Sequence, residues 1–133
     1  MKKIDITDIK NLQKFSNEFV KKIKPGNVVF LSGDLGSGKT AFVKCILKSL
    51  NFKKEAKSPS FNLVNIYKNK KISICHMDLY RLTKKDDLES FIEYFDEENI
   101  SFVEWPNLLI KQKIKCDFHL NFGFEKRKRV IKF

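Results

Sequence analysis

Gly33-Asp34-Leu35-Gly36-Ser37-Gly38-Lys39-Thr40 is the stretch on which the reading of this chain turns. It fits G-x-x-x-x-G-K-[ST], a pattern whose residue types suit a chain of phosphates. Gly33, Gly36 and Gly38 carry no Cβ, so the backbone can curl with its N–H groups inward and approach phosphate oxygens closely. Lys39 offers a mobile cation for β- and γ-phosphates. Thr40 offers a hydroxyl for Mg²⁺, an ion that keeps several waters and needs few protein oxygens. The pattern requires a strand before it and a helix after it. Val28-Val29-Phe30-Leu31 is an apolar, β-favouring run, and Ala41 to Leu50 carries Phe42, Val43, Ile46, Leu47 and Leu50 as a wide apolar helix face. The free N–H groups and positive dipole end of that helix point at the same place.

Outward from this loop the chain alternates short strands and helices. Residues 4–6 predict a weak edge strand and Thr7 a helix N-cap. Ile9, Leu12, Phe15, Phe19 and Ile23, spaced by three and four, predict a helix of about four turns, broken at Lys24-Pro25-Gly26-Asn27. Asn51 can close the second helix in the left-handed conformation, and Lys53 to Lys57 is a polar loop. Phe61 to Tyr67 and Lys71 to Met77, joined by Lys68-Asn69-Lys70, predict an antiparallel hairpin. Thr83 and Asp86 resemble a capping box opening a helix through about Phe91. Ile100 to Val103 is a short buried strand, followed by Glu104-Trp105-Pro106 and a loop with a short helix over 107–115. Asp117 to Phe124 and Arg127 to Phe133 alternate around Glu125-Lys126 as a closing hairpin. The expected fold is α/β: a three-layer P-loop NTPase arrangement in one domain, 1–133, with a central mostly parallel sheet, antiparallel edge hairpins and flanking helices.

Such a site needs an acid near the metal, at the carboxyl end of a neighbouring strand. Asp78, after Ile72-Ser73-Ile74-Cys75-His76-Met77, and Glu104, after Ile100-Ser101-Phe102-Val103, both qualify by position. Asp86, Asp87, Glu97 and Glu98 lie in polar stretches and read as solvated surface. Ser58-Pro59-Ser60-Phe61 falls where P-loop proteins keep a first switch segment, although an ordinary proline turn has the same look. Trp105 reads as a core aromatic or as a ring against the nucleotide, and His76 as a satisfied structural histidine. Thr83-Lys84-Lys85-Asp86 imitates a guanine-reading T-K-x-D but follows no long buried strand, and no D-x-x-G lies between it and the loop, so ATP is favoured over GTP.

The chain has 133 residues, 42% of them hydrophobic, which is enough for a core without staples. No apolar run approaches the ~20 residues of a membrane span, and Met1-Lys2-Lys3-Ile4-Asp5 is not backed by the apolar stretch of a secretory signal. Cys45, Cys75 and Cys116 are scattered and odd in number, which reads as buried free thiols in a reducing cytoplasm. The formal charge of +11 comes from lysines spread along the chain, dense only at 111–115 and 126–132. That pattern reads as compositional drift ahead of a dedicated RNA groove.

Gly33 to Thr40, then Ser58-Pro59-Ser60-Phe61, then His76-Met77-Asp78-Leu79-Tyr80-Arg81-Leu82, then Glu104-Trp105-Pro106 resemble, in this order, the TsaE family of small bacterial ATPases in tRNA threonylcarbamoyladenosine biosynthesis. The resemblance covers about residues 7–133, and the H-x-D-L-Y-R segment followed by E-W makes it specific. It implies an ATPase that acts on a TsaB–TsaD pair. That pair transfers a threonylcarbamoyl group to the adenosine beside the anticodon of tRNAs reading ANN codons, so tRNA is met only through the complex. It implies ATP and Mg²⁺ as ligands, a cytoplasmic location and a monomer when alone. Gly33, Asp34, Leu35, Gly36, Ser37, Gly38, Lys39, Thr40 and Ala41 would line the nucleotide, with Gly36 to Thr40 on the phosphates. Thr40 and Glu104 would hold Mg²⁺, and Lys39, Asp78 and Glu104 would be catalytic, Asp78 ordering water at the γ-phosphate. Ser58, Pro59, Ser60, Phe61 and Trp105 would form the switch that meets the partner. The adenine would lie near the start of the first helix, around Thr7, with further nucleotide contacts from the final hairpin near Arg127. Many relatives have Ala and Thr where Ser37 and Ala41 stand, segment 89–94 is shorter here, and 107–116 lacks an expected proline; none of these touches a proposed ligand.

Two other classes stay open on the residues alone. A P-loop kinase of a small molecule needs arginines in a lid, and arginine occurs here only at 81, 127 and 129. A nucleotide-binding scaffold without turnover would not need both Asp78 and Glu104.

Overall fold

The computed structural model describes residues 1–53, 63–84 and 86–133. The element order is β1 (Lys3–Asp5), α1 (Ile9–Phe19), β2 (Val28–Ser32), α2 (Lys39–Ser49), β3 (Val64–Lys68), β4 (Ser73–Asp78), α3 (Glu89–Ile92), β5 (Asn99–Glu104), α4 (Asn107–Lys111), β6 (Phe118–Glu125) and β7 (Lys128–Lys132). The seven strands form one sheet in the order β1-β7-β6-β2-β5-β4-β3. Its centre, β6-β2-β5-β4, is parallel, and the antiparallel pairs β3·β4, β6·β7 and β1·β7 finish the two edges. β2, β4 and β5 are buried along nearly their whole length, as strands covered on both faces are, whereas β6 alternates between buried and more exposed residues. Among the described residues no helix is long and apolar enough to cross a membrane.

Alternation along the strands divides the core in two. On one face Val29, Leu31, Ile74, Ile100, Phe102, Leu120, Phe122 and Ile131 pack under α1 and α2. On the other, Val28, Phe30, Cys75, Met77 and Val103 pack with Leu79, Leu88 and Leu109. Phe42 of α2 is fully buried, with its ring 5.5–6.0 Å from those of Phe15, Phe19, Phe102 and Phe122. It stands two residues after Thr40, so the loop is anchored on the core.

Several sequence expectations shift locally. The first helix has three turns, ending at Phe19, because Lys21 and Lys22 N–H groups turn back to Glu18 and Phe19 carbonyls ahead of Pro25. Its cap is Asp8, whose carboxylate accepts from the Lys10 N–H at 2.9 Å, and not Thr7. The Thr7 hydroxyl accepts instead from the Arg129 N–H at 2.9 Å, tying the helix start to β7. Thr83 and Asp86 do contact, with the Thr83 N–H donating to Asp86 Oδ2 at 2.7 Å, but they close a single turn. The helix starts only at Glu89, once Leu88 reaches the core. The last hairpin turns at Lys126-Arg127, both at positive φ, and not at Glu125-Lys126. Asn51 takes the left-handed conformation at φ 61°, closing α2 as expected. Cys45 and Cys75 are buried free thiols, and Cys116 is only partly covered.

Candidate functional site

The loop leaves β2 at Ser32 and re-enters regular structure at Lys39, the first residue of α2. Gly33 has φ 146°, and a Cβ there would strike the Phe122 carbonyl oxygen, so no other residue fits. Gly38 sits at the N-cap of α2 in a left-handed conformation, with Ile6 Cδ1 only 3.2 Å from where a Cβ would project. Among the described residues no side chain caps this helix, and no acid stands in its first turn. The first N–H groups of a helix have no partner within it, so this end suits an anion. Asp34, Leu35 and Gly36 form the exposed crest, whereas Ser37 is buried.

Two strand ends close on this loop. Parallel register sets Leu31 opposite Glu104 and Glu104 opposite Asp78, so both acids stand at the carboxyl edge beside the loop. Glu104 is 3% exposed. Its oxygens accept from Thr40 Oγ1 at 3.0 and 3.2 Å and from His76 Nε2 at 2.5 Å. Asp78 is half-buried and accepts from the Tyr80 N–H at 3.0 Å. Burial pushes its carboxyl above the ordinary range; the Tyr80 N–H opposes this and the nearby Glu104 charge adds to it.

Lys39 is buried. Its Nζ donates to the Gly33 carbonyl and lies 3.7 Å from the centre of the Trp105 ring, a cation–π contact. Burial lowers its ammonium below the ordinary lysine range, while Glu104, Asp78 and Asp34 hold it up. Trp105 follows β5 in a left-handed conformation, φ 56°, and packs against Tyr80 with ring centres 4.8 Å apart and planes tilted by 53°. It is neither a plain core aromatic nor free surface.

The donor set fits Mg²⁺: a hydroxyl and a carboxylate in contact, both hard oxygen ligands, with an ammonium beside them. Among the described residues no group of three or more His, Cys, Asp or Glu side chains gathers as a metal cage. A metal here would take its remaining ligands from water and phosphate.

Lys39, Thr40, Asp78, Glu104 and Trp105 thus converge at one edge of the sheet. Thr7 and the β7 backbone neighbour Gly38 through Ile6, while Arg127 lies at the exposed hairpin tip. Ala41 is partly buried one residue beyond the loop. Ser58, Pro59, Ser60 and Phe61 fall outside the described residues. Sequence reading missed His76 as a member of the site. The signal was the spacing: two residues before Asp78 on a strand means the same face.

The chain matches the model of one protein family over residues 6–131, described as TsaE, threonylcarbamoyl adenosine biosynthesis protein. It is 36% identical to a tRNA threonylcarbamoyladenosine biosynthesis protein TsaE of Aquifex aeolicus over 135 residues, covering 99% of this chain and 95% of that one. A protein of the same name from Bacillus subtilis is 36% identical over 89 residues, 67% of this chain and 56% of the relative's length. The Rickettsia prowazekii one is 36% identical over 102 residues, 75% of this chain and 71% of the relative. A crystal structure of Bacillus subtilis YdiB superposes with a TM-score of 0.77 at 26% identity, over 98% of this chain and 82% of that one.

Proposed function

The chain belongs to the TsaE family of threonylcarbamoyl adenosine biosynthesis proteins, and from that premise we propose that it is a Mg²⁺-dependent ATPase serving threonylcarbamoyladenosine modification of tRNA by acting on a TsaB–TsaD-type complex. One observation carries the ATPase reading. Lys39 and Thr40 of the loop meet Glu104 at the end of β5, beside Asp78 at the end of β4.

In this reading the loop amides and Lys39 bind the phosphates. Thr40 and Glu104 hold Mg²⁺, which supplies positive charge to neutralise the phosphate oxygens. Asp78 orients a water for attack on the γ-phosphorus; the bond from that phosphorus to the β-bridging oxygen breaks, leaving ADP and phosphate. Lys39 must leave Trp105 and the Gly33 carbonyl to reach the nucleotide, so binding and rearrangement of Trp105 are one event. Turnover by the chain alone is slow, because Arg81, Arg127 and Arg129 are all exposed, none enclosed against the loop, and the loop crest is open. The partner completes the enclosure.

Calorimetry with Mg-ATP tests the first half. Lys39→Ala should weaken binding by roughly tenfold to a hundredfold, the worth of a charge-assisted contact; unchanged affinity overturns the loop assignment. An ATPase assay with and without a purified TsaB–TsaD pair tests the second. Stimulation is expected, and its absence leaves ATP binding standing while removing the pathway role.

A further inference from the structure

His76 occupies a position where a polar ring has to be explained. It lies on β4 facing α2, fully buried, with Ile74 before it and Phe102 opposite it across the ladder. All the other buried strand residues on this face between β4 and β5 are apolar except Glu104. Among the described residues its Nδ1 has no hydrogen-bond partner. A buried ring nitrogen without a partner is a cost that an aliphatic side chain would avoid. Among the described residues the ring's one hydrogen bond is Nε2 to Glu104 Oε2 at 2.5 Å. A carboxylate only accepts, so the imidazole carries its proton on Nε2 and donates it.

This contact acts on a side chain that also faces Thr40. Glu104 sits opposite Asp78 in the ladder, and His76 is its diagonal neighbour, two residues back along β4. From there the imidazole pins Oε2 at the floor of the site, and the carboxylate meets the Thr40 hydroxyl above it at 3.0 and 3.2 Å. Without the pin, the Glu104 carboxylate keeps, among the described residues, only the Thr40 hydroxyl as a hydrogen-bonding side chain.

We propose that His76 is a positioning residue: its Nε2–H holds the Glu104 carboxylate in the orientation that receives the divalent cation beside Thr40. It touches neither nucleotide nor metal. The proposal rests on the nucleotide site described above. Outer hydrogen bonds of this kind fix the direction and basicity of a ligand carboxylate, and their loss costs roughly tenfold to a hundredfold in metal affinity.

The test reads metal affinity rather than turnover. Binding of a non-hydrolysable ATP analogue is measured by calorimetry at rising Mg²⁺, and without metal in the presence of a chelator. His76→Leu fills the same space without a donor. It should raise the Mg²⁺ concentration needed for half-maximal tightening by roughly tenfold or more, leaving metal-free affinity within about twofold of wild type. His76→Gln, which can return an N–H donor, should recover most of the loss. Adding His76→Leu to Glu104→Ala should cost nothing further, because the two act as one unit.

An unchanged Mg²⁺ dependence in folded His76→Leu overturns the proposal. So does an equal loss of affinity with and without metal, the mark of a purely structural role. If His76→Leu does not fold, His76→Gln and a nitrogen-15 spectrum of the wild-type imidazole decide: a hydrogen-bonded Nε2 proton, lost in Glu104→Ala, is expected, and a protonated Nδ1 with a bare Nε2 overturns it. Failure of wild type to bind the analogue at any Mg²⁺ concentration is a separate result, and removes the proposed function together with this inference.

Discussion

At the scale of single residues the site is built from side chains that the free fold holds at some cost. Asp78 is the clearest case. Unfolded, it titrates near 3.8, and in the folded protein burial raises it. The folded state therefore binds this proton more tightly than the unfolded chain. Below 3.8 the carboxyl costs nothing; as pH rises through 3.8 and then through the raised folded value, stability is lost and stays lost at neutral pH. Asp78→Asn keeps an acceptor for the Tyr80 N–H and removes the charge. It should melt higher than the parent at pH 7, with the gap closing in melts run below pH 3.8. Its partner-stimulated ATP turnover should fall, which is the exchange of stability for activity expected of a working carboxylate.

Among the elements, the β6–β7 hairpin turns on residues poorly suited to its geometry. Lys126 and Arg127 have φ 46° and 69°, the pattern of a two-residue turn with both central residues left-handed. Asn-Gly takes that geometry with little strain, whereas two long side chains do not. Replacing Lys126-Arg127 by Asn-Gly should stabilise the protein by about 0.5–1 kcal/mol in urea unfolding. With Arg127 contacting the nucleotide, the same variant should bind ATP more weakly while unfolding later; unchanged ATP affinity by calorimetry removes Arg127 from the proposed site. The register of β6 on β2 and β7 is set elsewhere, by buried Leu120, Phe122, Val130 and Ile131, so the exchange leaves the sheet intact.

In the whole molecule the loop and the core are one object. Phe42 begins the buried face of α2, and its ring meets aromatic rings from α1, β5 and β6. Phe122 in turn lies under both Gly33 and Gly38. Phe42→Ala should cost about 3–5 kcal/mol in denaturant unfolding, since it opens a cavity among large rings. It should also weaken nucleotide binding in protein that is still fully folded, because the start of α2 loses its anchor. Unaltered ATP affinity in that variant would show that the loop keeps its shape without the core beneath it.

Much of this was legible in the residues themselves. The Gly33–Thr40 spacing, the apolar run before it and the helical face after it determine strand, loop and helix, because glycine freedom and hydrophobic period act over a few residues. The placing of the acids at 78 and 104 at strand ends was legible for the same reason: each ends a short apolar run. Helix ends were less legible. Thr7 looked like a cap, but its hydroxyl is taken by Arg129, a partner 122 residues away. Thr83 and Asp86 made the contact their spacing promised, yet no helix followed until Leu88 found the core. The contacts of His76 and Trp105 were decided only by tertiary structure. Nothing local to either places an imidazole on Glu104 or an indole under the Lys39 ammonium. Those contacts exist because β2, β5 and β4 lie side by side in parallel register, an arrangement set by the packing of both sheet faces and not by any one segment.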